Sequence, residues 1–347
     1  MHVFSSLFRT SHISIRYKVE SIAGNILCWV KKPNYKFIRR QLIKSKCIDD
    51  NTGFMIISKD IFISKSDNTI MIIFQDFKQI FNVDNIFSLK ELKLNKRNSD
   101  HLDLLSQLIN LRILDLGYNQ LTNVPSEIGN LTNLDRLNLD CNQLTNLPSE
   151  IGKLTNLIYL NLNDNKLTNL PSEIGKLTNL TELNLGVNYL TNLPSEIGNL
   201  TNLDILSLSC NQLTNLPSEI GNLTNLTNLY LGVNKLTNLL SEIGKLTNLT
   251  NLSLSSNELT HIPSEIGNLI NITSLYLYYN YLTSLPSEIG NLTNLTKLSL
   301  SDNELTNLPS EIGNLTSLRI LYLNNNELTN EFKVQIKSWF KNSIVYV

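Results

Sequence analysis

The sequence predicts an α/β repeat solenoid, a stack of short units that each pair one strand with one helical turn. Two observations carry this. Ten asparagines recur every 23 residues without a gap: Asn119, Asn142, Asn165, Asn188, Asn211, Asn234, Asn257, Asn280, Asn303 and Asn326. Between them the same order of apolar and polar residues returns, and a fixed period in this range marks stacked supersecondary units. An isolated unit buries too little apolar surface to order itself, so the units must stack and the two ends need covers.

Residues 1–88 precede the repeats and form a separate region. They hold thirteen Lys or Arg against seven Asp or Glu, whereas the remainder has sixteen against twenty-three. A basic head therefore stands on a mildly acidic body. Phe54 to Ile57, Ile61 to Ile63 and Thr69 to Phe74 read as strands, with Ser66 to Asn68 as a turn. Lys31 to Lys46 mixes cations with Tyr35, Phe37 and Ile38, a composition that would suit a membrane surface or nucleic acid. It is read instead as the solvated face of a small α+β domain or of an N-terminal cap.

Residues 89–330 are the solenoid. The stretch 89–110 is a degenerate first unit: Leu89, Leu92 and Leu94 occupy strand positions, but Arg97 stands where asparagine belongs and Leu111 follows one residue early. The regular unit is clear from Leu134 onward. Leu137 and Leu139 alternate with Arg136, Asn138 and Asp140, the period of two of a strand with one buried face. Leu144, Leu147, Ile151 and Leu154 carry the buried side around the coil. Pro148 suits the first position of a helical or 3₁₀ turn, Glu150 its positive end, and Gly152 its stop. Leu240 replaces the proline in one unit and should loosen that turn. The repeated asparagine follows each strand, where backbone groups lose their ladder partners. Its amide offers both a donor and an acceptor to neighbouring turns, so the ten should form a ladder between coils.

Residues 331–347 end the chain. Phe332, Ile336, Trp339 and Phe340 fit one face of an amphipathic helix that covers the last open coil.

The frame Leu-x-x-Leu-x-Leu-x-x-Asn-x-Leu resembles the leucine-rich repeat signature over residues 111–330. The 23-residue form with Leu-Pro-Ser-Glu-Ile-Gly is similar to the intracellular class of scribble-type, Ras-suppressor-type and plant Ras-group repeats. Enrichment in Asn, Ile and Lys also resembles proteins of AT-rich genomes such as giant viruses and protists. The resemblance implies a horseshoe with a concave parallel sheet, used as a protein-binding scaffold.

Little in the chain points to catalysis. The four histidines are scattered, and no P-loop, nucleophile elbow or metal-binding Cys/His spacing is present. The row of Glu127, Glu150, Glu173 and their equivalents is explained by helical N-termini rather than by a metal. No cofactor, nucleic acid or small-molecule substrate is expected. Cys141 and Cys210, three units apart, would be separated by about 14 Å, too far for a disulfide. Cys28 and Cys47 are close enough in sequence to pair, though nothing requires it. With no signal peptide and no run of 18 apolar residues, an intracellular protein is expected, so the Asn-x-Thr sequons should stay unglycosylated.

The candidate partner-binding residues lie on the outward side of the strands. Between the two inner leucines the series runs Asp115, Asn138, Asn161, Asn184, Ser207, Tyr230, Ser253, Tyr276, Ser299, Tyr322. Ser and Tyr alternate from Ser207, a 46-residue superperiod that duplication of repeat pairs explains. Exposed tyrosines on a rigid sheet give large contact area at small entropic cost. Tyr159, Tyr278, Arg136, Glu182 and Lys297 share that face. The expected function is a non-enzymatic interaction scaffold. The alternative is an adaptor in which residues 1–88 recruit machinery such as a ubiquitin ligase while the repeats select the target.

Overall fold

The computed structural model describes residues 26–31, 61–66, 69–74, 91–94, 108–341 and 343–347. Their strands form one sheet. At its first edge β1 (Ile26–Lys31) pairs antiparallel with both β3 (Thr69–Phe74) and β4 (Glu91–Leu94), and β3 pairs antiparallel with β2 (Ile61–Ser66). β2 and β3 cover the strands expected at Ile61 and Thr69, and β1 was not anticipated. The expected strand at Phe54, the turn at Asp67 and the basic stretch Lys31 to Lys46 from Lys32 onward fall outside the described residues.

β4 opens the parallel part of the sheet by pairing with β5 (Ile113–Asp115), Leu92 opposite Leu114. The strands that follow are three residues long and lie in strict register. They are β6 (Arg136–Asn138), β7 (Tyr159–Asn161), β8 (Glu182–Asn184), β9 (Ile205–Ser207), β10 (Asn228–Tyr230), β11 (Asn251–Ser253), β12 (Ser274–Tyr276), β13 (Lys297–Ser299) and β14 (Ile320–Tyr322). A 3₁₀ segment follows each strand from β5 to β13, such as Ser149–Lys153 after β6. The aliphatics of each coil point inward: Leu137, Leu139, Leu144, Ile151 and Leu154 are fully enclosed between their counterparts one coil away.

Three local features refine the expected unit. Pro148 precedes the 3₁₀ segment as its N-cap, with ψ of 147°, and the helical bond runs from Ile151 N–H to the Pro148 carbonyl. Leu240 adopts the same conformation as the prolines it replaces, φ −68° and ψ 149°, and packs partly against the core, so the coil runs unbroken through that turn. Gly152 lies inside its 3₁₀ segment rather than ending it. A Cβ there would come within 2.7 Å of the Glu173 carbonyl oxygen, so the missing side chain is where the next coil nests.

The residue before each repeated asparagine is left-handed, with φ between 52° and 58° from Tyr118 through Asn325. None of these is glycine, and each carries the strain of an L-residue in that region. The bend turns the next residue inward.

Helix α1 (Asn330–Trp339) begins with the Thr329 side chain accepting from the Phe332 N–H. Ile336 and Phe340 are buried, and Phe332 meets Trp339 edge to face with ring centroids 5.8 Å apart. Beyond α1 the chain returns to the sheet. β15 (Ile344–Tyr346) pairs parallel with β14, Tyr346 beside Tyr322. That last strand was not expected, although Ile344-Val345-Tyr346 echoes Ile320-Leu321-Tyr322 in residue type.

Candidate functional site

The asparagine side chains come inward because the left-handed residue before each reverses the chain. Asn142 is typical. Its Nδ2 donates to the Leu139 and Asp140 carbonyls of its own coil and, at 2.9 Å, to the Leu116 carbonyl of the coil before. Its Oδ1 accepts from the Leu121 N–H of that preceding coil. The same set repeats at Asn165, Asn188, Asn211, Asn234, Asn257, Asn280 and Asn303, and at the less buried Asn326. Asn119 bonds the Leu116 and Gly117 carbonyls of its own coil. These amides therefore answer the backbone groups that the bend removes from the sheet.

A second asparagine row runs along the opposite edge and was missed by sequence reasoning. Asn133, Asn156, Asn179 and their successors to Asn294 each donate to a carbonyl of the preceding coil at 2.8–2.9 Å. Its signal was the recurring Leu-Thr-Asn, which becomes Leu-Ile-Asn only at Asn271, hidden by the uniformity of the repeat.

These two rows hold the strands at fixed spacing, and the outward side chains of the sheet form the candidate interface. On β6 to β8 the guanidinium of Arg136 lies over the Tyr159 ring, 4.1 Å from its centre, with Glu182 next in register. Burial, followed by the charge of Glu182, pushes the Tyr159 phenol up, while Arg136 opposes the rise.

The other candidates gather four coils further on. Tyr230, Tyr276, Tyr278, Lys297 and Tyr322 line one shallow groove of about 630 Å³, together with Asp302 and three serines, Ser253, Ser299 and Ser301. The ammonium of Lys297 sits 5.0 Å from the centre of the Tyr276 ring and 5.9 Å from that of Tyr322. Two rings unmarked by sequence reasoning extend this surface. Tyr346 of β15 stacks on Tyr322 at 4.9 Å with the planes 4° apart, and Tyr279 meets Tyr278 edge to face at 5.7 Å. The face thus holds two clusters: Arg136, Tyr159 and Glu182 in one, the tyrosines and Lys297 in the other.

Such a surface can stack, hydrogen-bond and pair charge. Among the described residues no three His, Cys, Asp or Glu side chains are grouped to hold a metal ion, and no helix is long and apolar enough to cross a membrane. Cys141 and Cys210 are free thiols at left-handed positions of the rim.

Residues 61–188, 183–262 and 233–338 match the family model described as a leucine-rich repeat region. No curated protein matches the chain. Among solved structures, the chain is similar to the plant peptide hormone receptor RGFR1 in complex with RGF2, at 36% identity and a TM-score of 0.63, covering 70% of this chain and 41% of the receptor. It is also similar to the ectodomain of the membrane receptor kinase GASSHO1 from Arabidopsis thaliana in complex with CASPARIAN STRIP INTEGRITY FACTOR 2. There the identity is 33% and the TM-score 0.55, over 75% of this chain and 38% of that one. An internalin from Listeria monocytogenes aligns at 27% identity and a TM-score of 0.59, covering 75% of this chain and 81% of the internalin. The chain spans less than half the length of either plant receptor.

Proposed function

Because the chain belongs to the leucine-rich repeat family, we propose that it is a non-enzymatic interaction scaffold that binds a protein partner on its concave sheet. The observation that carries this reading is the gathering of Tyr230, Tyr276, Tyr278 and Tyr322 in one groove on a rigid sheet. Rings held by a fixed backbone lose little freedom on binding, and buried aromatic anchors dominate protein interfaces. The plant receptors of the same family, each recorded with a partner bound, support the choice of a protein or peptide ligand.

The test is affinity capture with the full chain and with the double variant Tyr276→Ala/Tyr278→Ala. Loss of two anchors should weaken partner binding by at least ~30-fold, the effect of a hot spot of roughly 2 kcal/mol. The rings lie outside the leucine core, so the melting temperature should hold. Undiminished capture by the double variant would sink the proposal.

A further inference from the structure

The tyrosine groove has a feature that specifies its occupant. Aromatic faces attract cations, yet here the chain supplies its own. Lys297, half-buried on β13, holds its ammonium over Tyr276 and Tyr322. A cationic ligand would meet both occupied rings and a like charge.

Lys297 Nζ, for its part, has three donors, and a ring face accepts none of them strongly. Among the described residues no carboxylate lies within ion-pair distance of it. The nearest acid in the groove, Asp302, accepts at 2.8 Å from the Asn325 side chain instead. The rest of the concave face reinforces this polarity. On and beside the strands, Asp115, Asp135, Asp140, Asp164, Glu182 and Asp204 outnumber Arg112 and Arg136 on the first five coils, while Lys297 and Arg319 outnumber Asp302 at the far end. An anionic group is steered away from the first half and toward the tyrosines.

We propose that this groove takes an extended acidic segment of a protein partner, with a side-chain carboxylate on Lys297 Nζ. The neighbouring apolar or aromatic residue of the segment packs on Tyr276 and Tyr278. Every strand from β10 to β14 is paired on both sides, so the segment crosses the strands and is read through side chains rather than by adding a strand. The proposal rests on the reading that the concave sheet binds protein.

The probe is a random twelve-residue peptide library displayed on phage and selected on the full chain, on Lys297→Met and on Tyr276→Ala/Tyr278→Ala. Wild-type selections should be enriched in Asp or Glu next to an apolar or aromatic residue. Measured by fluorescence anisotropy, the leading peptide should bind Lys297→Met at least ~10-fold more weakly, the effect of one charge-assisted hydrogen bond. Replacing its acid by the amide should weaken wild-type binding equally and have little further effect on Lys297→Met. Peptides that need the tyrosines but show no acid preference, or that bind Lys297→Met equally well, overturn this proposal and leave the concave reading standing. Peptides indifferent to the tyrosines, or no enrichment at all, count against both.

Discussion

One glycine in each coil allows the stacking to be tested at a single atom. At Gly198 an added Cβ would lie 2.6 Å from both the Cβ and the carbonyl oxygen of Glu219, against 3.4 Å or more for an ordinary contact. The obstacle is backbone, so relief requires the next coil to move by roughly 0.8 Å. Strand pairing and the asparagine bonds hold that coil, Asn211 Nδ2 reaching the Leu185 carbonyl at 2.9 Å. Overpacking of this kind costs about 1–3 kcal/mol, partly offset by ~0.4–1 kcal/mol from restricting the unfolded chain. Gly198→Ala should therefore destabilise by about 1–2 kcal/mol. Gly313 occupies the same place in the last 3₁₀ segment, but the coil after it carries α1 where another 3₁₀ segment would be, and a Cβ would meet nothing within 4 Å. Gly313→Ala should stabilise by ~0.5–1 kcal/mol. Guanidinium titration followed by circular dichroism gives both values from the midpoints. A central defect also weakens coupling between the two halves of the array, so the Gly198→Ala transition should broaden. Equal effects of the two substitutions, or a Gly198→Ala protein as stable as wild type, would refute nesting of coils as the reason for the glycine.

The left-handed positions give a second prediction. Val187 is exposed at φ 52°, a region that a β-branched residue enters only under strain, so Val187→Asn should raise the melting temperature by an amount equivalent to about 1 kcal/mol. A lower melting temperature would refute the strain argument. The two rim thiols give a third. Burial pushes the Cys141 thiol above its ordinary value, so less of it is thiolate at neutral pH, and Cys210 is the more exposed. Peptide-resolved iodoacetamide labelling should modify Cys210 first at pH 7, with the gap narrowing as pH rises; faster labelling of Cys141 at pH 7 would contradict this.

Much of the coil was legible because each of its requirements has a residue signature. Alternation marked the strands, and the invariant asparagine marked the bend. What stayed hidden was set by contacts between coils. The space filled at Gly152 belongs to Glu173, 21 residues away, so local reading assigned the glycine to a helix end instead. The left-handed position carries Tyr, Cys, Asp, Val, Ser or Asn, with no glycine to reveal it. β15 is three residues long and lacks a following asparagine, leaving only the echo of Ile320-Leu321-Tyr322. At the candidate site the tyrosines were legible from alternation, but the placement of Lys297 over two rings depends on register across β12 to β14.

Duplication of repeat pairs accounts for part of the aromatic face, and this bears on where a partner is read. A 46-residue copy explains Tyr230, Tyr276 and Tyr322 together. It does not explain Lys297, whose counterpart 46 residues earlier is Asn251, nor Tyr278, whose counterpart is Gly232. Tyr346 lies outside the copied frame altogether. All three departures fall around Tyr276 and Tyr322: Lys297 over their rings, Tyr278 beside the first, Tyr346 stacked on the second. On β5 to β7 the polar groups satisfy one another. Asn138 donates to Asp115 at 3.0 Å, Arg112 pairs with Asp135, and Arg136 covers Tyr159. On β12 to β15 the additions widen an aromatic surface and bring in a cation that, among the described residues, forms no ion pair. On the proposed reading, then, the copied columns build the scaffold and the uncopied residues are where ligands would be told apart.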